Sequence, residues 1–277
     1  MNLIFFKKCI LFLIVFSGNL FCLQPEIKGI DSFKPKNILM VGNSFIYFNN
    51  GMHNPLEALV KKDLELKKNF KIRKITISGA SLSWHEIKSY VSNPNIGSFT
   101  FDNENNLINL SVEPFDVLIM HDCSRCPINK KSDFHRIIKK HSNDLKEIGI
   151  EPVLMMTWPY KDEPKMIEAL SNEYIKAANE NKILVIPVGL AFAKANEEFS
   201  KINLYTSDNR HPSKAGTYLG ACVIFSALYK KSPENNPYHF GLEPEIAKNL
   251  QKLAWEVTEK FYNCLLYTSD AADEVLG

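Results

Sequence analysis

The chain lacks any strong charge imbalance: 33 Lys and Arg stand against 31 Asp and Glu in 277 residues. That balance gives no electrostatic case for binding nucleic acid, and no block of like charge forms an interaction tail. Lys61-Lys62, Lys67-Lys68 and Lys139-Lys140 interleave with apolar positions and read as solvated helix faces. Internal repeats and low-complexity linkers are missing, so neither a solenoid nor a string of linked modules is indicated. The one long apolar run, residues 9–16, falls short of the roughly 20 residues that span a bilayer as a permanent anchor. Cysteine is sparse, with six in all and a single Cys-x-x-Cys, Cys123-Ser124-Arg125-Cys126. Without a second such pair, a structural zinc site is disfavoured.

The two ends are read separately from the rest. Lys7-Lys8 precede the apolar run, and the less apolar Ser17-Gly18-Asn19 follows it. This order of positive, apolar and polar segments is that of a signal peptide over residues 1–22. It predicts export, to the periplasm or beyond the cell, with no stable membrane span after cleavage. Bulky Phe21 before Cys22 argues against a lipid-modified cysteine. At the other end, residues 264–277 resemble a translated sequencing-library adapter and show no sustained amphipathic period, so they are set aside. A single domain over residues 36–262 remains, a size one core can serve. Its cysteines are Cys123, Cys126 and Cys222. In an exported protein the close pair reads as a local disulfide or as two reduced thiols. His121 and Asp122 stand beside the pair, but neighbours on an extended strand point to opposite faces, so no metal site is expected.

Apolar runs at 37–41, 71–77, 115–121, 152–157 and 183–188 read as strands. The last three are continuous rather than alternating, as in a parallel sheet covered on both faces. Helical patterns alternate with them at 55–68, 82–91, 134–148, 164–181 and 190–199. Two further helices are predicted from Pro212 to about Tyr229 and from near Pro244 to about Tyr262, proline suiting a first helical position. Residues 97–113 are polar, with alternating Phe99, Phe101, Leu107 and Leu110, and read as a small inserted hairpin. The whole is an α/β fold with one mostly parallel five-stranded sheet and its working loops at the strands' carboxyl ends.

Two distant segments carry chemistry. Ile38–Val41 runs into Gly42-Asn43-Ser44, a buried strand that breaks at glycine and presents a serine hydroxyl where backbone N–H groups and a helix dipole favour an anion. Asp208-Asn209-Arg210-His211-Pro212-Ser213 places a carboxylate three residues before an imidazole, just ahead of a helix with small residues Ala215, Gly216, Gly220 and Ala221. A serine, a base for its proton and an acid to hold the base are the parts of nucleophilic acyl transfer. His135 and His141 fall off any metal-ligand spacing and read as surface residues. Trp158, after the fourth strand, reads either as a wall of the substrate pocket or as a core aromatic.

These segments resemble the blocks of the SGNH, or GDSL-like, hydrolase superfamily, in an exported bacterial branch whose first block reads Gly-Asn-Ser-Phe. The resemblance spans roughly residues 36–230. It implies a flavodoxin-like three-layer αβα sandwich and an esterase without cofactor or metal. It also implies Ser44 as nucleophile, Asp208 and His211 as its partners, and an oxyanion hole formed by the Ser44 and Gly79 N–H groups. Gly79 comes from Ile77-Ser78-Gly79-Ala80-Ser81, which resembles the second block. The third block departs from the pattern: in Met120-His121-Asp122-Cys123-Ser124-Arg125-Cys126-Pro127, Cys123 falls where the family has an amide donor. A thiol is a weak donor. His121, Ser124 or Arg125 substitutes, or the enzyme is slow. Asn43, His121 and Trp158 are carried as substrate-contacting candidates, with His121 equally readable as a satisfied histidine at a strand end.

The expected reaction is removal of a small acyl group, such as acetyl, from a glycan or small-molecule ester. Two alternatives are a non-catalytic binding protein on the same fold and an acyltransferase acting on a sugar hydroxyl.

Overall fold

The computed structural model describes residues 23–66, 70–93, 96, 99–109 and 113–263. The predicted leader and the tail from Cys264 lie outside the described residues, as do Lys67, Lys68, Gly97 and Leu110.

Five strands form one parallel sheet: β1 (Asn37–Gly42), β2 (Lys71–Thr76), β5 (Val117–Met120), β6 (Glu151–Met155) and β7 (Leu184–Ile186). Their order is β2-β1-β5-β6-β7. β1 pairs with β5 in the register Ile38↔Val117 to Val41↔Met120. All eight of these side chains in β1 and β5 that run from Ile38 to Val41 and from Val117 to Met120 are fully buried. At roughly 1.5–3 kcal/mol for each buried aliphatic side chain, this centre outweighs the half-exposed edge strand β2 as an anchor. The predicted hairpin is present as antiparallel β3 (Phe99–Phe101) and β4 (Leu107–Asn109).

Helices cover both faces. α3 (Ile87–Val91), α5 (Lys131–Glu147) and α6 (Met166–Asn181) pack in one layer; α2 (His53–Lys62), α8 (Lys214–Tyr229) and α9 (Pro244–Asn263) pack in the other. α7 (Val188–Glu198) touches α6, α8 and α9. The short helix α1 (Ser44–Tyr47) begins just after β1, and α4 (Cys126–Asn129) follows β5 across the loop 121–125. Every residue of α8 after Lys214 is buried, as expected of a helix that is apolar all round. α9 covers it, and the Tyr262 hydroxyl donates to the Val185 carbonyl at 2.8 Å. The predicted α/β class and three-layer arrangement are what the chain adopts.

Three expectations are corrected. The helix predicted over 82–91 is a 3-10 turn, Leu82–Trp84, followed separately by α3. Between them His85 is buried and its Nε2 lies 3.0 Å from the Gly42 carbonyl, a tertiary contact incompatible with a continuous helix. His141 is buried, not on the surface. Phe134, Ile138, His141 and Leu145 recur at helical spacing, so His141 lies on the inner face of α5. His135 is half-buried between two carboxylates of α6, Glu173 at 2.9 Å and Glu180 at 2.7 Å.

Candidate active site

The sheet order reverses at β1: the chain passes from β1 outward to β2 and then returns to β5 on the other side. Open α/β sheets bind ligands outside the strand ends at such a point. Here the loops after β1, β2, β5 and β6 meet the 206–213 turn in a cleft of about 250 Å³, lined by Ser44, Ser78, Gly79, Ser124, Tyr160, Arg210 and His211 among others. A larger cleft of about 410 Å³ lies beside α7, around Lys161, Asn196 and Asn203. It holds no serine–histidine pair, so chemistry rather than size selects the smaller one.

Ser44 opens α1 and is 7% exposed. A first-turn N–H has no intrahelical acceptor, so the Ser44 amide is free to serve a ligand. Its Oγ lies 2.7 Å from Nε2 of His211, and Nδ1 of His211 lies 2.5 Å from Oδ2 of Asp208. The network assigns the ring proton to Nδ1, donated to the carboxylate, which leaves Nε2 to accept from the serine hydroxyl. Asp208 Oδ1 accepts from the Thr206 hydroxyl at 2.7 Å and from the backbone N–H groups of Arg210 at 2.9 Å and His211 at 3.0 Å. Burial opposes the Asp208 charge, but donation from the His211 ring and these other groups outweighs it and holds the carboxyl well below the usual range. The His211 ring stacks on Phe48, with centroids 4.1 Å apart, and meets the edge of Phe45. Asn209 takes the left-handed conformation, φ 61°, that lets the turn close on its own aspartate.

Asn43 lines the cleft and is at the same time a scaffold. Its side chain caps α1 by accepting from the Phe45 N–H at 3.1 Å and donates to the Ala80 carbonyl at 3.0 Å. That second bond ties the loop after β1 to the loop after β2. His121 is the satisfied histidine: it is 1% exposed, its Nε2 faces the Asn43 N–H at 3.4 Å, and its Nδ1 lies 2.8 Å from the Asp122 carbonyl. Burial pushes its pKa down to about 4, so it sits neutral behind the nucleophile. Trp158 is fully buried, stacked between Phe45 and Phe192 at 4.4 Å from each, and its Nε1 donates to the Arg210 carbonyl. It supports the cleft floor and the Asp208–His211 turn from behind, and does not line the pocket.

Gly79 borders the cleft at φ +68°, which glycine adopts without strain. Cys123 and Cys126 form a disulfide with Cα atoms 5.1 Å apart, so neither sulfur is a hydrogen donor. Beside it the Ser124 hydroxyl is 2.7 Å from that of Tyr160, within the cleft lining. Arg125 is paired with Glu163. Asp122, Cys123 and Cys126 are close enough together to suggest a metal group, but the disulfide occupies both sulfurs. Asp122 is instead structural, accepting the Leu82 and Cys123 N–H groups, while burial raises its pKa.

Tyr160 and Arg210 are cleft residues that sequence reasoning passed over. Arg210 stands inside the motif itself, and Tyr160 follows a strand's carboxyl end, the position where functional loops gather.

No protein-family model and no curated protein sequence matches the chain. Solved structures do. A DUF4886 family protein from Bacteroides uniformis is 21% identical, with 80% of this chain and 94% of that one covered and a TM-score of 0.55. A protein from Slackia heliotrinireducens described as a candidate SGNH hydrolase is 23% identical over 70% of this chain and 98% of that one, with a TM-score of 0.52. A candidate GDSL-like lipase from Parabacteroides merdae is 16% identical over 72% and 97%, with a TM-score of 0.52. The fold of this chain is therefore that of the SGNH, or GDSL-like, hydrolases.

Proposed function

We propose that this chain is a serine esterase that removes a small acyl group, such as acetyl, from a glycan or small-molecule ester. Ser44 attacks the ester carbonyl while His211 takes its proton, then returns it to the leaving alcohol; Asp208 orients His211 and stabilises the imidazolium. Water repeats the sequence on the acyl-enzyme. The Ser44 and Gly79 N–H groups stabilise the oxyanion, and the Ser124 hydroxyl is the third donor, free to turn to the cleft when Tyr160 donates to it. The observation that carries the reading is the unbroken relay from Ser44 Oγ through His211 to Asp208, at 2.7 Å and 2.5 Å. The neighbours' fold agrees with it, but a fold does not choose a substrate.

The working unit is one domain over residues 36–262, delivered outside the cytoplasm by cleavage of residues 1–22. The Cys123–Cys126 disulfide supports export, since such bonds persist in oxidising compartments. No helix among the described residues is long and apolar enough to cross a membrane.

Fluorophosphonate labelling of the mature protein, with Ser44→Ala as control, tests the reading. Labelling confined to the Ser44 form is expected; no labelling of the folded protein would leave a binding protein on a hydrolase fold.

A further inference from the structure

The turn that presents His211 also delivers a guanidinium to the cleft. Arg210 is fixed through its backbone on both sides: its N–H donates to Asp208 at 2.9 Å, and its carbonyl accepts from Trp158 Nε1 at 2.9 Å. The side chain takes no part in either bond. Its Cζ lies 4.8 Å from the ring centroid of Tyr160, and Arg125 lies over the same ring at 5.0 Å. The two arginines differ in one respect. Arg125 is neutralised by Glu163, whereas among the described residues no carboxylate comes within ion-pair distance of Arg210. A ring contact leaves the five guanidinium N–H donors unsatisfied.

We propose that Arg210 determines specificity by binding a carboxylate on the alcohol part of the ester; the inference rests on the esterase reading and narrows it to anionic substrates such as acylated acidic sugars. Two observations bear on the charge. One unpaired cation in the cleft suits one negative charge, and the neighbouring Asp208 and Glu163 carboxylates disfavour a doubly charged phosphate. A guanidinium held against an aromatic ring presents a planar fork that matches a carboxylate. Arg210 adjoins His211 in the turn, and the proposal sets the bound carboxylate beside the leaving alcohol, whose oxygen receives its proton from His211.

The test compares esters with and without a negative charge, placed on one side of the ester bond or the other. Acetoxybenzoate, with its carboxylate meta to the ester, is set against its methyl ester; a nitrophenyl hemisuccinate against nitrophenyl acetate places the charge on the acyl side instead. The expected result is a kcat/KM preference for acetoxybenzoate over its methyl ester that falls at least about tenfold in Arg210→Gln, the scale of one charge-assisted hydrogen bond. Arg210→Lys should restore part of it, and added salt should shrink it, because the site is open to solvent. No preference in the native protein, a preference unchanged in Arg210→Gln, or one confined to the hemisuccinate pair overturns the inference. Binding of acetoxybenzoate to Ser44→Ala, with and without Arg210→Gln, separates it from the parent reading. An Arg210-dependent loss of affinity without turnover by the native protein refutes the esterase reading alone; turnover with equal affinities refutes the carboxylate site alone.

Discussion

A Cβ placed on Gly42 would fall 2.3 Å from Nε2 of His121. The imidazole occupies the space that any side chain would need just before Asn43-Ser44, and it braces the Asn43 N–H at 3.4 Å. The glycine of the Gly-Asn-Ser segment is thus set by a histidine on the neighbouring strand end. Gly42→Ala should displace the ring or the nucleophile loop, lowering both the melting temperature and kcat. His121→Ala opens that space, so the double variant Gly42→Ala/His121→Ala should be more active and more stable than the two separate losses add up to. A double-mutant cycle on both readouts measures the coupling, expected within about 0.5–3 kcal/mol for groups in contact. Strict additivity would show that the two residues do not share this space.

The relay from Ser44 to Asp208 predicts an unequal response to substitution. Ser44→Ala and His211→Ala should each abolish turnover of nitrophenyl acetate. Asp208→Asn should fold normally yet lose about 10⁴ in kcat, because an amide at this place can stabilise the wrong tautomer of His211. Thermal melting and steady-state kinetics on the three variants check this. A rate for Asp208→Asn close to that of the native protein would remove Asp208 from the mechanism.

Much of this arrangement was legible in the chain, for reasons that differ by residue. The sheet was readable because Val117–Met120 and its neighbours are apolar on both faces, a local signature of covered parallel strands. Ser44, Asp208 and His211 were readable because each sits in a short motif whose turn chemistry is local. Side chains whose surroundings come from remote segments were not readable. His121 and Trp158 are chemically suited to touch a substrate, yet Asn43 and Asp122 enclose the first while Phe45 and Phe192 sandwich the second. The break at His85 is of the same kind: helical spacing is a local preference, overridden there by a bond to Gly42 across the fold. His141 was a different failure, since its place on the inner face of α5 follows from the spacing of Phe134, Ile138 and Leu145.

Acid stability should be set in part by buried neutral histidines. Burial lowers the pKa of His53, His121 and His141 to about 4 in each case, below the 6.5 of an ordinary histidine. Between these values the unfolded chain binds protons that the folded one does not, so their contribution is complete above about pH 6.5 and is lost as pH falls toward 4. The slope approaches about 1.4 kcal/mol per pH unit for each such group. Burial raises the pKa of Asp116 and Asp122, which acts in the opposite sense and flattens the sum. His141 offers the clean variant, because neither ring nitrogen has a partner among the described residues. His141→Phe should raise stability near pH 5 more than at pH 8. Urea midpoints at both values decide; an equal shift at the two would mean that His141 does not titrate in this range.

The disulfide and Ser124 give a joint prediction about the departing third block. Cys123–Cys126 closes a loop of very few residues, so on the chain-entropy model its loss should cost about 2 kcal/mol, a drop of a few degrees in melting temperature. The kinetic consequence should exceed the thermal one. The loop holds Ser124 2.7 Å from the Tyr160 hydroxyl and at the lip of the cleft. A donor that acts mainly on the oxyanion affects kcat more than KM, and its removal costs about 10²–10³ in rate. Ser124→Ala should therefore lower kcat by up to that factor with KM nearly unchanged. Reduction, or the Cys123→Ser/Cys126→Ser pair, should lower kcat by a smaller factor in the same pattern, because the hydroxyl is kept but loosely aimed. Tyr160→Phe should fall between the native protein and Ser124→Ala, since it removes the partner that orients the hydroxyl and leaves the hydroxyl itself. If Ser124→Ala instead raises KM at constant kcat, the hydroxyl binds the ground-state ester and the third oxyanion donor lies elsewhere in the cleft.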